Sequence, residues 1–410
     1  MHSNLREFAT PCRLNSPQGA VSVRIIAPEA LDERLIDAWR RLGERALEPN
    51  AYLTPMFVLP ALAHIASSAT VSILLIEAAG GELIGIGLFN AKPLLPFLGL
   101  QSLVGFQSKH SYLSGLLVDR DHAACAVDAF FAFVSAPGTR CHGVRFNWLC
   151  TEHAAGALLL ETARRHHVWW SESERMQRAA LFPKNDEATA FVGRIPKSRV
   201  KDLRRCWRRL SETGVLDWRI HSGKNLSDEA IECFLALEHM GWKGEAGTSM
   251  RSKAANEQFF REMIKQFREA DGVFFTELVL NERVIASTCN LISGNSAFAF
   301  KIGWDPGFAR YSPGMLIELS LLEKVHEIFG HLDLIDSGSV EGSYLDTLWL
   351  DKRRLVSGVF ATTKTGKLIF AMAAARRRLR RAAAELQQAI DNAWQALWSR
   401  SGLKPARSVP

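Results

Sequence analysis

Two segments of the chain show the same succession of strand and helix patterns, and this duplication constrains the fold most strongly. The first runs from about residue 20 to 190 and the second from 191 to 365. In each, short apolar strands alternate with amphipathic helices, which predicts an α/β (α+β) unit with a mixed central sheet flanked by helices. A chain of 410 residues is too long for one compact core, which favours two such domains. Residues 1–19 lack either pattern, and we expect them to be disordered.

Individual elements can be placed from spacing and turn residues. From Lys197, "KSRVKDLRRCWRRLSETG" sets Val200, Leu203, Trp207 and Leu210 on one stripe of a helix. Residues 366–410 carry "LRRAAAELQQAIDNAWQALW", which predicts a long amphipathic C-terminal helix. The remaining predicted strands are 21–28, 70–78, 82–89, 143–150, 168–174, 215–222, 272–280, 283–292, 296–305, 331–338 and 358–363. The remaining predicted helices are 29–46, 121–134, 154–166, 227–241 and 254–270, together with one that begins near Pro313.

The charge of the chain is uneven. Its formal charge is +7, and the excess is concentrated at 197–210 and 375–381. Such patches suit nucleic acid, anionic lipid or phosphorylated ligands, although a solvated helix face is the simpler interpretation. The start of the chain lacks the apolar core of a signal peptide, and seven scattered cysteines form no CxxC pair. We therefore expect a reduced, cytoplasmic protein.

Several familiar motifs are absent or incomplete. "HEIFGH" at 326–331 spaces its histidines five residues apart, so they diverge by about 140° around a helix and do not form a zinc pair. "GIGLFN" is a GxG inside a hairpin, not the opening of a dinucleotide-binding helix. The chain has no GxxxxGK[ST] and no GxSxG. We predict no metal site.

"RYSPGMLIELSLLEKV" from Arg310 places Pro313 and Gly314 directly before an apolar helical run. Proline suits a first helical turn, and Ser312 is a candidate N-cap. Gly314 leaves backbone N–H groups uncovered. Such donors meet water, or they hold an anionic ligand at the positive end of the helix dipole.

Four motifs in order resemble the GNAT acyltransferases, and more closely the CelD-like acetyltransferase branch, which is related to the double-GNAT FemABX transferases. They are the Arg-rich helix at 197–214, "LEHMGWKGEAGTSM" from Leu237, "FKIGWDPGFARYSPGMLI" from Phe300 and "DSGSVEGSYLDTLWLDKRRL" from Asp336. The resemblance covers about 190–365 well, whereas the N-terminal half matches only in outline. It implies tandem GNAT-like domains.

The resemblance also implies an acyl-CoA site. In that family the loop before the helix holds the pyrophosphate of coenzyme A through backbone N–H groups, and a parted strand supplies an N–H to the thioester carbonyl. Here Pro313 and Met315 occupy two positions that are usually Gly or Ala, so Gly314, Met315 and Leu316 would supply most donors. The residues implied in cofactor binding are Ile302, Arg310, Tyr311, Ser312, Pro313, Gly314, Met315 and Leu316.

Catalytic and acceptor residues follow from the same comparison. Glu238 is our candidate general base and His239 a second one, while Tyr344 occupies the place of a tyrosine that protonates the leaving thiolate. Surface or structural roles are open alternatives for each. The residues expected to shape the acceptor cleft are Trp242, Lys243, Gly247, Thr248 and Asp336, the last of which could instead cap a turn.

We therefore expect an enzyme that transfers an acyl group from acetyl-CoA or another acyl-CoA to a sugar or amine acceptor, in polysaccharide or cell-envelope synthesis. An alternative is a FemABX-like transferase that uses charged tRNA, for which the basic helix at 197–209 would track phosphates. A third is an inactive GNAT-fold scaffold whose Arg-rich C-terminal helix contacts an anionic membrane or a partner.

Overall fold

A computed structural model describes residues 12–16, 19–95, 100–185 and 190–401. Its strands are β1 Cys12–Ser16, β2 Gly19–Ile26, β3 Val71–Ala78, β4 Leu83–Leu95, β5 Leu100–Gly105, β6 Leu117–Val118, β7 Cys141–Cys150, β8 Trp169–Leu181, β9 Leu216–Ser222, β10 Val273–Leu280, β11 Arg283–Ser293, β12 Ser296–Trp304, β13 Leu334–Asp336 and β14 Asp351–Ala361. Its α-helices are α1 Glu33–Glu44, α2 Pro55–His64, α3 Ala123–Ser135, α4 Ala154–Arg165, α5 Ala190–Arg194, α6 Lys197–Ser211, α7 Asp228–His239, α8 Trp242–Glu245, α9 Ala254–Glu269, α10 Pro313–Phe329 and α11 Lys364–Ser401.

Both halves of the chain are built on the same plan. In the first, β2 to β5 are antiparallel and α3 then crosses to β7, which is parallel to β5. In the second, β9 to β12 are antiparallel and α10 crosses to β13, which is parallel to β12. The apolar period and the turn residues had predicted these elements except β5. The duplication of the fold is therefore confirmed.

The two halves share one sheet because their last strands are exchanged. The order is β1-β2-β3-β4-β5-β7-β14-β8-β13-β12-β11-β10-β9, with β6 beside β4. Strand β14 of the second half pairs with β7 of the first, and β8 of the first pairs with β13 of the second. The boundary near residue 190 is a division of the sequence and stays a prediction as a domain boundary, since backbone hydrogen bonds cross between the halves.

The N-terminal prediction needs one correction. Residues 12–16, which we placed in a disordered segment, form β1 and pair with β2 from Cys12↔Val23 to Ser16↔Gly19. The partner strand, not the local pattern, gives these residues their structure. Residues 1–11 lie outside the described part of the chain.

Helix α10 has the composition of a helix buried on several sides. Leu316, Ile317, Leu321 and Val325 are each at most 3% exposed, and the helix packs on β10, β11 and α6. Among the apolar residues of this helix one carboxylate is also buried, that of Glu318, which is 5% exposed.

Strand β12 loses its partner halfway along. It pairs with β13 only from Ser296↔Leu334 to Phe298↔Asp336, so its last six residues extend beyond the end of β13. On its other edge it pairs with β11, where Cys289↔Lys301 and Asn290↔Ala299 leave Phe300 as an extra residue. Such a bulge bends a strand and increases its twist. The two parallel strands therefore part into a V-shaped opening in front of α10.

The first half contributes side chains to this opening. Phe57 of α2 contacts Phe259 of α9, with ring centroids 5.4 Å apart, and Tyr52 contacts Phe298 of β12 at 5.7 Å. The Tyr112 hydroxyl donates to the Phe300 carbonyl at 3.2 Å. One apolar core thus spans both halves behind the opening.

The long C-terminal helix is confirmed as α11, which has 38 residues. Throughout residues 12–16, 19–95, 100–185 and 190–401, no helix has both the length and the apolar character needed to cross a bilayer.

Candidate active site

The start of α10 differs from the expected cradle of free amides. Ser312 has a left-handed backbone (φ 54°), and its side chain forms no cap. Its carbonyl instead accepts from the N–H groups of Met315 (2.9 Å) and Leu316 (3.1 Å), which we had expected to bind a ligand. The reason is that a residue in the N-cap position closes the first helical turn with its carbonyl. Pro313 has no N–H, so Gly314 is the residue here whose N–H meets no acceptor in the described structure.

A cavity of about 250 Å³ lies in front of this helix start. A Cβ added to Gly314 would lie 3.5 Å from side-chain atoms of Ile302 and Trp304, so this glycine lets the cavity reach the backbone. The residues that line it are Ile302, Trp304, Ala309, Ser312, Pro313, Gly314, Met315 and Tyr344.

Arg310 and Tyr311 were predicted to bind the same ligand but do not line this cavity. Arg310 is exposed, and its guanidinium lies 4.7 Å from the centroid of the Tyr311 ring. Tyr311 packs its partly buried side chain against the core around α10. The guanidinium therefore lies over the Tyr311 ring and not in the cavity.

A second cavity, of about 190 Å³, occupies the opening between β12 and β13. Ile302 and Tyr344 line both cavities, so these two residues form the junction. Its lining includes Glu318 of α10, Lys243 and Lys301, and Tyr112 from the first half of the chain. The second cavity therefore joins a buried carboxylate to the helix start through a shared wall.

Glu318 is the residue that sequence reasoning missed. Its Oε2 atom is buried and has no hydrogen-bond partner among the described residues. Burial raises the pKa of this carboxyl to about 8, against a smaller opposing effect of Trp349. Glu318 follows Gly314 by four residues and therefore lies on the same face of the helix, one turn below. In the sequence, Glu318 could have been noticed as a single glutamate within an apolar helical run.

Glu238, the predicted base, lies at a third cavity of about 110 Å³ that also contacts Ile302. The carboxylate is 1% exposed, and its Oε2 accepts from the Met250 N–H at 2.8 Å. Its Oε1 is 3.7 Å from Lys243 Nζ. Gly303 permits this packing, because a Cβ there would lie 2.4 Å from the Glu238 backbone nitrogen.

Lys243 connects the second and third cavities. Its ammonium donates to the Ile302 carbonyl at 2.6 Å, on the unpaired part of β12. Burial lowers the pKa of Lys243, and the nearby Glu238 opposes that effect. The lysine therefore holds the strand edge and the α7 carboxylate in place together.

Tyr344 stands at the junction of the first two cavities and is 42% exposed. Partial desolvation raises its pKa, and the Glu318 carboxylate adds to the effect. The phenol therefore stays protonated near neutral pH and can donate a proton.

Other predicted residues lie away from these cavities. The exposed His239 pairs its Nδ1 with Ser249 Oγ at 2.7 Å. Gly247 is in a turn with φ 66°, and Thr248 donates its N–H to the Lys243 carbonyl at 2.9 Å. Both close the turn after α8, so they support Lys243 instead of lining the cleft. The side chain of Trp242 lies outside what the structure describes.

Asp336 has the second of the two roles predicted for it, the cap of a turn, and its carboxylate is already engaged. It is 1% exposed and accepts from Arg353 (2.8 Å), Arg178 (3.4 Å) and the Gly338 N–H (2.8 Å). Burial alone would raise the pKa of Asp336, but the two arginines hold it below its usual value. The carboxylate caps the turn at Gly338 and joins Arg178 of the first half to Arg353 of the second.

Within the ranges that the structure describes, no three His, Cys, Asp or Glu residues are grouped so that they could hold an ion. The cavity chemistry instead consists of two buried carboxylates, a phenol and lysines.

The fold and the cavities define a tandem GNAT-like protein, and comparison with known proteins agrees. Residues 197–343 match the model of a family described as acetyltransferase (GNAT) domain. This segment carries the opening, the start of α10 and both carboxylates. Residues 197–343 therefore carry a GNAT acetyltransferase domain. No curated protein matches the sequence.

Solved structures similar to the chain extend the fold to both halves. FemX aligns with a TM-score of 0.53 at 8% identity, over 83% of this chain and 98% of FemX. A conserved protein of unknown function from Bacteroides thetaiotaomicron aligns at 0.51 and 12% identity, over 82% of this chain and all of that one. The C-terminal domain of a putative lysylphosphatidylglycerol synthetase from Agrobacterium fabrum aligns at 0.50 and 11% identity, over 83% and 95%. At these identities the likeness concerns the fold.

Proposed function

We propose that the chain transfers an acyl group from acyl-CoA to an amine or hydroxyl acceptor. The observation that supports this most directly is the junction at Ile302 and Tyr344. There the cavity at the helix start meets the cavity that contains Glu318. A thioester placed at the junction would have the donor on one side and the acceptor on the other.

The donor would lie along the start of α10. We assign its diphosphate to the free N–H of Gly314 and to the positive end of the helix dipole. With Met315 and Leu316 already bonded to Ser312, backbone donors are fewer than we expected. We assign the thioester carbonyl to the unpaired edge of β12 at Ile302, where preformed main-chain donors stabilise a developing oxyanion.

The acceptor nitrogen or oxygen would attack the thioester carbon while its proton passes to a carboxylate. The C–S bond then breaks, and the thiolate takes a proton from Tyr344. Glu238 is the base that the sequence suggested. Each of the two carboxylates has one buried oxygen without a hydrogen bond, Oε1 in Glu238 and Oε2 in Glu318. We now favour Glu318, because it lines the cavity with Tyr344, whereas Glu238 lies outside that cavity and its Oε1 is 3.7 Å from Lys243 Nζ.

Titration calorimetry with acetyl-CoA and longer acyl-CoA esters tests this function. Gly314→Asp would place a carboxylate in the donor cavity and should abolish the heat of binding. Gly138→Asp is the matched control, since Gly138 is exposed with open space around its Cβ position. The proposal fails if folded wild-type protein gives no heat with any ester, or if Gly314→Asp binds as tightly as wild type.

A polysaccharide or cell-envelope role, as in the CelD-like branch, is our proposal for the biological setting. It rests on the four ordered motifs of residues 197–355. The free cysteines are Cys125, Cys141, Cys150, Cys206, Cys233 and Cys289, which supports the proposal of a reducing, cytoplasmic compartment.

A donor attached to tRNA is a second candidate, favoured by the surface of α6. A cavity of about 590 Å³ there is lined by Lys197, Lys201, Arg204, Arg205 and Arg208. Arg204 also pairs with Glu323 of α10 at 3.2 Å, so this basic surface adjoins the catalytic helix. Binding of aminoacyl-tRNA that weakens steeply with salt, without any acyl-CoA heat, would favour this donor.

Helix α11 supports a contact with an anionic membrane, whether the protein is an enzyme or an inactive scaffold. At 100° per residue its exposed apolar side chains fall within an arc of about 80°; they are Leu368, Met372, Leu379, Leu386, Ile390 and Trp394. Arg376, Arg377, Arg378 and Arg380 lie at the border of this stripe or beyond it. Such a helix binds the surface of anionic bilayers. Flotation with phosphatidylglycerol vesicles, with and without residues 375–400, tests the contact.

A further inference from the structure

Lys301 lines the second cavity and has no counter-ion among the residues that the structure describes. Its ammonium lies 3.4 Å from the Tyr112 hydroxyl and 5.5 Å from the centroid of the Phe300 ring. Two further lysines, Lys109 in the first half and Lys253 before α9, also form no salt bridge with any described residue, and they lie outside the lining of this cavity. We call these three residues the lysine cluster.

The rings of His110 and Phe300 have centroids 6.3 Å apart, which brings the adjoining residues Lys109 and Lys301 close together. Burial lowers the pKa of Lys109, and the charges of Lys253 and Lys301 lower it further. His110 responds to the same field, since desolvation together with Lys301 and Lys109 lowers its pKa to about 3. The imidazole of His110 therefore stays neutral and adds no charge to the cluster. Like charges held together without counter-ions destabilise the free protein, and an anionic ligand would offset that cost.

The lysine cluster adjoins the chemistry of the site. Lys301 lines the second cavity together with Glu318 and Tyr344. The free Glu318 oxygen is buried on the side of α10, while the ammonium belongs to the opposing strand. A molecule in this cavity would meet a proton acceptor and a positive charge at once.

We propose that the acceptor carries an oxyanion, a phosphate or a carboxylate, which Lys301 holds while Lys109 and Lys253 add positive charge and the acceptor's amine or hydroxyl lies beside Glu318. This assignment rests on the acyl transfer proposed above. A charge-assisted hydrogen bond contributes about 1.5–3 kcal/mol, so one lysine corresponds to roughly 10- to 100-fold in affinity.

The experiment compares glucosamine 6-phosphate with glucosamine, which differ in the oxyanion alone. Binding of each to the full-length protein is measured by calorimetry without acyl-CoA, so the result does not depend on turnover. We expect the phosphorylated sugar to bind at least about 10-fold more tightly, and inorganic phosphate to compete with it. Lys301→Gln should remove that preference, whereas Lys265→Gln, an exposed lysine of α9, should retain it.

Further measurements distinguish a lipid headgroup from a sugar phosphate as the source of the anion, and the acceptor site from the donor site. Vesicles of phosphatidylglycerol that outcompete the sugar phosphate in wild type but not in Lys301→Gln would place the oxyanion on a lipid headgroup. Equal binding of the two sugars by wild type, with no competition from phosphate or vesicles, would overturn the proposal. So would a loss of acetyl-CoA affinity in Lys301→Gln that equals its loss of sugar phosphate affinity, because the lysines would then belong to the donor. If acyl-CoA does not bind but the sugar phosphate does, the acyl transfer fails and the oxyanion site stands.

Discussion

Replacing Glu318 by glutamine should make the protein more stable and less active. The pKa of this carboxyl rises from an ordinary value of 4.5 to about 8 because the side chain is buried. The unfolded chain thus loses the proton at a lower pH than the folded protein does. The free energy of unfolding is therefore highest below pH 4.5, where the carboxyl is protonated in both states, and it falls as the pH rises to about 8. The total loss is about 5 kcal/mol, of which about 3 kcal/mol has occurred at pH 7.

Glutamine has a similar shape but does not ionise, so Glu318→Gln should escape this loss. We expect the free energy of unfolding of the variant to exceed that of wild type by an amount that grows with pH, reaching about 3 kcal/mol at pH 7. Above pH 8 the excess should stay constant, since both states of wild type are then ionised. Urea unfolding of both proteins from pH 5 to 8.5 measures the difference.

The same variant tests the chemistry. If Glu318 takes the acceptor's proton, kcat/KM of wild type rises with pH through about 8, and Glu318→Gln loses about 10²- to 10⁴-fold in kcat together with that pH dependence. Glu327→Gln, on the exposed side of α10, is the control and should change neither property. A stability difference between wild type and Glu318→Gln that is constant from pH 5 to 8.5 would refute the reasoning.

Three other substitutions separate catalysis, binding and folding. Tyr344→Phe should lower kcat by about 10²-fold or more with little change in KM or thermal stability, because the exposed phenol acts on the leaving thiolate; an unchanged kcat would remove it from the mechanism. Gly303→Ala should lower the melting temperature, since its Cβ would lie 2.4 Å from the Glu238 nitrogen, whereas Gly314→Ala has ordinary contacts and should fold normally while binding acyl-CoA more weakly. Equal melting temperatures for these two alanine variants would contradict the packing described. Asp336→Asn removes the carboxylate that two buried guanidinium groups share, although Arg353 keeps Glu48 as a partner, and should cost about 3 kcal/mol in urea unfolding; a midpoint like that of wild type would show that the network is dispensable.

The structure around the candidate site was predictable where the signal was local. The Pro-Gly pair indicated a helix start at Pro313, and Gly314 borders a cavity there. The amides of Met315 and Leu316 were expected to be free but are not, because whether an amide is free depends on where the Ser312 carbonyl points. The turn cap predicted as one role of Asp336 is present, whereas the arginines that engage its carboxylate come from distant parts of the chain and could not be predicted.

Glu318 shows the limit of pattern reading most clearly. Its helix could be recognised from apolar spacing, but a carboxylate in such a helix is ordinary if it faces solvent. It becomes a candidate base only because α10 is covered on several sides and β12 parts from β13 in front of it. Neither the depth of burial nor the opening is encoded within a few residues of position 318.

The sequence by itself determined most of the helices and strands, the duplicated plan and the long terminal helix, since each follows from a spacing of apolar residues along a short segment. Only the tertiary structure decided that β14 inserts between β7 and β8, so that one sheet joins both halves. It also brought Lys109 of the first half near Lys301, which lines the opening in the second half. The physical reason is that periodicity reports which face of an element is buried, whereas strand pairing and ionisation depend on partners far along the chain.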